Sequence, residues 1–265
     1  MRIGIAGIGG RMGRLVAETV SRSSAKLVGG TLGKTSAGQG VQVFGSIAEL
    51  ASECDVVIDF SAAGAAIEHA ACLGASRLSP AWVLGTTGLA ADAVLAVRRA
   101  AKTIVVIQAA NFAPGVTLVL AVAERLARAL PAVDYDAEIS EMHHRNKVDA
   151  PSGTAWAIGE AVSAGRGVHL ADAAECVRHG QTGPRRLGTI GFTALRGGQV
   201  VGDHTLLFAG DDEQIGLTHR AMDRAVFARG ALQAALWTRA RPPGLYGMAD
   251  VLGLTDDFFR GPPRP

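Results

Sequence analysis

Apolar residues are patterned differently in the two halves of the chain. In the first 110 residues they form short continuous runs separated by stretches of helical period. Ile3–Ala6, Leu27–Thr31, Asp55–Phe60, Trp82–Leu84 and Ile104–Ile107 read as strands. Leu15, Val16, Thr19 and Val20 recur at helical spacing, and 65–73 and 92–102 also read as helices. Fully apolar strands alternating with helices predict a parallel sheet covered on both faces.

Beyond residue 112 the pattern changes. A helix is expected over 116–130, ended by Pro131. Tyr135–Ser140 alternates apolar and polar positions, which marks a strand with one polar face. A helix follows at 154–164. Strands at 189–195 and 200–208 flank Gly197-Gly198, a hairpin signal. A third strand is expected over 214–218 and a last helix over 221–237. The predicted organisation is a first, parallel-sheet domain over 1–111, with 221–265 packing back on it, and a second domain over 112–220.

Composition sharpens this picture. The chain has 265 residues, 48% apolar and 19% charged, enough to bury a core without staples. Its 26 Lys and Arg balance 24 Asp and Glu, a net charge of +2, which argues against a nucleic-acid binder. The cysteines, Cys54, Cys72 and Cys176, are odd in number and widely spaced, as free thiols in a reducing compartment would be. Arg2 leads straight into a strand, so no signal peptide is read. The apolar stretch 104–123 is broken by Gln108, Asn111, Pro114 and Gly115, so no membrane span is read either. A cytoplasmic location is expected.

The first strand runs into Gly7-Ile8-Gly9-Gly10-Arg11-Met12-Gly13 and then a helix. Such a turn sets a pyrophosphate on backbone N–H groups at a helix N-terminus. The working spacing is Gly7-x-x-Gly10-x-x-Gly13: Gly7 for the turn, Gly10 for phosphate approach, Gly13 for helix-on-strand packing. An acidic residue after the second strand would bind ribose hydroxyls, but none occurs from Leu27 to Ala48. Gly33-Lys34-Thr35-Ser36 stands there instead. A cation and hydroxyls suit a 2′-phosphate, so NADPH is the expected cofactor ahead of NADH, with Lys34 and Arg11 near the phosphate. Gly85-Thr86-Thr87-Gly88 and Ala109-Ala110-Asn111-Phe112 follow later strands, on the edge that faces ligands in such sheets.

The segment Glu141 to Ala155, EMHHRNKVDAPSGTA, carries the chemistry. Ser152 is a good N-cap, and the N–H groups of Gly153 and Thr154 make an anion site at a helix start. Of the 26 basic residues only Lys26, Lys34, Lys102 and Lys147 are Lys. Arg serves anion binding as well but cannot give up a proton near neutral pH, so Lys147 points to proton transfer. His143, four residues earlier, would share a face with Lys147 if the loop were helical, and is the usual type of general acid or base. No His-Glu-x-x-His occurs and no Cys is near, so no metal is expected. A semialdehyde dehydrogenase would need a nucleophilic Cys, and a non-catalytic NADP sensor would not need Lys147 beside an anion site.

These motifs resemble 4-hydroxy-tetrahydrodipicolinate reductase, also called dihydrodipicolinate reductase. Gly188-Thr189-Ile190-Gly191-Phe192, Arg196-Gly197-Gly198, Val201-Gly202-x-His204-Thr205 and Thr218-His219 fit as well. The resemblance implies a Rossmann-like doubly wound parallel sheet followed by an α+β domain with an open mixed sheet. It implies reduction of a cyclic imine dicarboxylate to tetrahydrodipicolinate by NADPH or NADH, on the route to lysine and diaminopimelate. It places His143 as proton donor/acceptor, Lys147 as proton donor, and His144, Ser152, Gly153 and Thr154 at the substrate. Gly7, Ile8, Gly9, Gly10, Arg11, Met12, Lys34, Gly85, Thr86, Thr87, Ala109, Ala110, Asn111 and Phe112 fall on cofactor positions. A homotetramer joined through the second sheet is implied too. The chain departs from the family pattern at Gly33, Ala62 and Ala113, which bears on cofactor preference.

Overall fold

The computed structural model describes residues 1–33, 36 and 40–254 and divides into two compact units, 1–114 with 225–265, and 115–224. In the first unit β1 (Arg2–Ala6), α1 (Arg11–Ser21), β2 (Lys26–Thr31), β3 (Val43–Phe44) and α2 (Ile47–Ala51) are followed by β4 (Val56–Asp59), α3 (Ala66–Ala75), β5 (Ala81–Leu84), α4 (Ala91–Ala100) and β6 (Val105–Gln108). The second unit holds most of α5 (Pro114–Ala129), then β7 (Asp136–His143), α6 (Gly153–Arg166), α7 (Leu170–Ala173), β8 (Ala174–Glu175), β9 (Ile190–Arg196), β10 (Gly202–Ala209) and β11 (Gln214–Ala221). The chain then re-enters the first unit with α8 (Ala225–Trp237), β12 (Gly244–Tyr246) and α9 (Met248–Val251).

The first sheet is parallel, in the order β12-β6-β5-β4-β1-β2-β3. The interiors of its central strands are apolar because both faces are covered. Alternate side chains feed two cores. Ile3, Ile5, Val56, Ile58, Val83 and Ile107 pack on the side of α1 and α8. Val57, Trp82, Leu84 and Val106 pack with residues of α2, α3 and α4 on the other. The strand order reverses direction between β1 and β4, the place where doubly wound sheets bind nucleotides.

The second sheet is mixed, in the order β11-β10-β7-β9-β8. One face is packed: Ala137 and Ile139 of β7, Phe192 of β9, and Leu206 and Phe208 of β10 meet Ile158 and Val162 of α6 and Ala123 and Ala127 of α5.

Three sequence expectations are corrected here. β9 and β10 do not form a hairpin, because β7 lies between them, parallel to β9 and antiparallel to β10. The Gly197-Gly198 turn instead wraps the end of β7, with Gly197 N donating to His143 O (2.9 Å) and His144 N to Val200 O (2.8 Å). The hairpin of this sheet is β10–β11. Next, β7 runs on to His143, so His143 lies on a strand and shares no helical face with Lys147. Third, β11 continues to Ala221 and the following helix starts at Ala225.

Candidate active site

In the first unit the glycine turn is shaped by backbone contacts. Gly7 has φ of +79°, a conformation that only glycine, lacking a Cβ, adopts at little cost. The amides of Gly7 and Ile8 both donate to Thr31 O (3.1 and 3.0 Å), which ties the turn to the end of β2. A Cβ on Gly13 would collide with the Gly7 carbonyl and lie 2.7 Å from Ile8 Cα, so only glycine lets α1 sit this close to β1. Gly10 caps α1 without a side-chain hydrogen bond, and no acidic residue stands in the first turn. The helix start at Arg11 and Met12 therefore presents backbone N–H groups and positive dipole to an anion. This cradle fits a dinucleotide pyrophosphate.

The neighbouring strand ends complete that edge. Gly85 follows β5, and a Cβ there would strike the Phe60 ring. Thr86 donates through Oγ1 to Ser61 O (3.1 Å), whereas Thr87 is exposed. Ala109, Ala110 and Asn111 follow β6, where Asn111 Oδ1 accepts from Ala113 N (2.8 Å). The side chains of Ile8 and Phe112 are core: both are nearly fully buried, and the Phe112 ring meets Phe60 edge-on at 5.8 Å. Those two residues face any ligand through backbone alone. Gly9 is buried in the turn, and Lys34 lies outside the described residues.

Sequence reasoning missed Asp59, fully buried at the end of β4. Its carboxylate accepts from His69 Nδ1 (2.6 Å), Trp82 Nε1 (3.1 Å) and Ser61 N (2.9 Å). Burial alone would raise its pKa, but His69 and then Ser61 overcome it and hold the carboxyl below its usual range. The turn at 60–61 is thus fixed at the sheet's switch point.

In the second unit the chemistry collects at the end of β7. Period-two alternation puts Glu141 and His143 on one face of the strand. Glu141, with only 2% of its surface exposed, is fully engaged. Its Oε2 lies 2.6 Å from His143 Nδ1, and its Oε1 accepts from Ser152 N (3.1 Å). Arg196 of β9 clamps both oxygens from Nη1 and Nη2 (2.7 and 2.8 Å) and also donates to Asp149 O (2.7 Å). Burial pushes the Glu141 pKa up, but Arg196 and His143 outweigh it, so the group stays a carboxylate. His143 is pulled below its ordinary pKa, by burial first and then by the cations Lys147 and Arg196, against the upward pull of Glu141.

His204 of β10 is 4% exposed and meets the His143 ring edge-on at 5.0 Å. Its Nε2 lies 2.9 Å from Ser152 Oγ, and Ser152 Oγ in turn accepts from Ala155 N (3.1 Å). Ser152 Oγ keeps its proton and a second lone pair, so it pairs with Nε2 in either tautomer, and the other ring nitrogen of His204 is Nδ1. That Nδ1 is buried with no hydrogen-bond partner among the described residues. Burial and the nearby His143 push its pKa down to about 4, so it is neutral at physiological pH.

Ser152 caps α6 as expected, and Gly153, exposed, opens its first turn with Thr154 beside it. Lys147 Nζ lies 2.8 and 2.9 Å from the two oxygens of Asp149, on a turn closed by Lys147 N donating to His144 O (3.1 Å). His144 sits at the base of that turn, half-buried. The unit thus brings together His143, His144, Lys147, Ser152, Gly153 and Thr154 in one loop and helix start. The support from Glu141, Arg196 and His204 was not assigned from sequence. Extending the β7 alternation by two residues would have found Glu141.

Fold and glycine cradle together define a nicotinamide-dependent oxidoreductase. Models of the dihydrodipicolinate reductase N-terminus and C-terminus match residues 1–112 and 115–252. The chain belongs to the dihydrodipicolinate reductase family. The 4-hydroxy-tetrahydrodipicolinate reductases of Granulibacter bethesdensis and Gluconacetobacter diazotrophicus are each 56% identical to it, covering 96% of this chain and 97% and 98% of theirs. A dipicolinate-bound dihydrodipicolinate reductase from Paenisporosarcina sp. TG-14 shares the fold, with a TM-score of 0.76 at 24% identity over 94% of this chain and 98% of that one.

Proposed function

We propose that this chain reduces the dehydrated cyclic imine of 4-hydroxy-tetrahydrodipicolinate to tetrahydrodipicolinate, in lysine and diaminopimelate biosynthesis. The observation that carries this is the end of β7. An imidazole, an ammonium and a helix N-terminus gather in one loop, an arrangement suited to a doubly anionic ring that needs protons. The dipicolinate named in the Paenisporosarcina structure is a ring dicarboxylate of that kind.

When bound, the nicotinamide cofactor supplies the hydride. Gly7, Gly10, Arg11 and Met12 would hold its pyrophosphate, with Thr86, Thr87 and Asn111 at the neighbouring strand ends. On the substrate side the Gly153 and Thr154 amides take one carboxylate, and His144 and the Lys147 ammonium face the anion. Hydride addition to one end of the conjugated imine drives an electron pair to the other end, where a proton must land. Lys147 Nζ delivers that proton, and His143 Nε2, which bears the lone pair in the neutral ring, accepts or relays a proton and donates one only as imidazolium. Glu141 holds His143 Nδ1, which leaves Nε2 as the working nitrogen.

NADPH is favoured over NADH in this reading, because the segment after β2 holds Lys34 and no carboxylate. The resemblance adds a cytoplasmic homotetramer. Cys54, Cys72 and Cys176 are free thiols, as a reducing compartment would leave them; among the described residues no helix is long and apolar enough to cross a membrane. The test is oxidation of NADPH and of NADH by the purified chain, with substrate generated in situ from pyruvate and aspartate semialdehyde. Turnover with a lower KM for NADPH is expected. A clear NADH preference overturns the cofactor choice, and no turnover with either overturns the function. Light scattering of the same sample tests the tetramer.

A further inference from the structure

Every lone-pair direction of the buried Glu141 carboxylate is taken. Its four donors come from three places in the second unit: His143 on the same strand, the Ser152 amide at the start of α6, and both terminal nitrogens of Arg196 on β9, whose Nη2 also holds the Asp149 carbonyl in the Lys147 loop. We propose that Glu141, locked by Arg196, is a positioning residue that sets the tautomer and orientation of His143 and, through the same carboxylate, fixes the anion-binding start of α6 and the Lys147 loop against it. This rests on the functional reading above and adds residues that touch neither substrate nor cofactor.

The geometry argues for it in three ways. A carboxylate is an acceptor only, so the 2.6 Å contact needs a proton on His143 Nδ1, which commits the neutral ring to Nδ1–H with its lone pair on Nε2. The two-point guanidinium clamp fixes the plane of the carboxylate and hence the direction of that hydrogen bond. Arg196 also faces His143 directly across the β7–β9 pairing, so one cation neutralises the buried carboxylate and closes the cluster. A surface acid would not do this, because two exposed side chains hold no fixed geometry.

The groups facing His143 have opposing signs. Glu141 favours its protonated form; Lys147 and Arg196 disfavour it, and His204 is held neutral beside it. The two partners of the clamp should therefore move the His143 titration in opposite directions. A merely structural pair would not.

The experiment is the pH profile of kcat for wild type, Glu141→Gln, Glu141→Asp and Arg196→Met, with a low-field proton NMR spectrum of each free enzyme. Wild type should show a strongly deshielded imidazole N–H resonance that disappears in His143→Ala. In Glu141→Gln that resonance is lost and the His143 limb of the profile moves down by about 1–3 pH units. In Arg196→Met the limb moves up, and Glu141→Asp returns it part of the way from the Gln position. Unchanged limbs in both Glu141→Gln and Arg196→Met, or a wild-type spectrum without the resonance, overturn the proposal. If Glu141→Gln does not fold, the Arg196→Met shift and the wild-type spectrum still decide. A wild type that turns over no substrate defeats the functional reading, while the NMR arm continues to test the contact.

Discussion

Lys147 Nζ sits 2.8 Å from Asp149 Oδ1, so the loop's one ammonium is held by a carboxylate two residues away on the same loop. The Asp149 side chain is 56% exposed and that of Lys147 20%, and a pair whose carboxylate is open to solvent in this way contributes little to stability. Asp149→Asn and Lys147→Ala should each change unfolding free energy in urea by less than about 1 kcal/mol. A loss of several kcal/mol would mean that the pair is a structural support and would weaken the case for Lys147 as a chemical group.

His204 should make the protein acid-sensitive. Its folded pKa is depressed to about 4 against an ordinary value near 6.5, because burial opposes the charged ring. The unfolded chain therefore binds the proton first. Stability from this group is complete above about pH 6.5 and is lost as pH falls toward 4, a change on the order of 3 kcal/mol. His143 is depressed in the same direction, and Glu141, held below its usual value, adds a loss at lower pH as it protonates. Melting temperatures of wild type and His204→Asn from pH 7.5 to 4.5 check this. The wild-type decline should be clearly steeper, and parallel curves would contradict the assignment.

Gly13→Ala should damage the cofactor cradle. The added methyl meets the Gly7 carbonyl and Ile8 Cα, both backbone, so neither can swing aside. Overpacking of this sort costs about 1–3 kcal/mol, and the displaced helix start should weaken NADPH binding. A thermal melt with a fluorescence titration of NADPH reads both effects. Gly13→Ala with wild-type affinity would show that the close packing of α1 is not what shapes the phosphate site.

Much of this was legible in the sequence. The continuous apolar strands and the Gly7-Gly10-Gly13 spacing announced the parallel sheet and its cradle because those features are local. The Glu141-to-Ala155 segment was equally readable, since its N-cap, its histidines and its rare lysine lie within fifteen residues. What failed was non-local. The Gly197-Gly198 turn reads as a hairpin, but pairing is decided by which strand fills the centre of the sheet, and β7 takes that place. Arg196 and His204 reach Glu141 and Ser152 only through that insertion, from 55 and 52 residues away. The short β3 and β12, two and three residues long, add edges to the first sheet with too few residues to show a period.

Gly202→Ala should act on catalysis more than on folding. A Cβ there lies 2.9 Å from His143 Nε2, the nitrogen left free by the Glu141 contact. The methyl would push the ring off its position. A fall in kcat of at least tenfold with a melting temperature within a few degrees of wild type is expected, read by steady-state kinetics and calorimetry. An unaffected kcat would place the working nitrogen elsewhere.

The most direct test of the central claim is the rate of NADPH oxidation with in situ substrate for wild type, His143→Ala and Lys147→Ala, each confirmed folded by its circular dichroism spectrum and melt. Loss of a general acid or base costs about 10²–10⁴-fold in kcat, and both variants should fall in that range. Wild-type-like turnover in both folded variants would contradict the assignment of proton delivery to the loop at the end of β7.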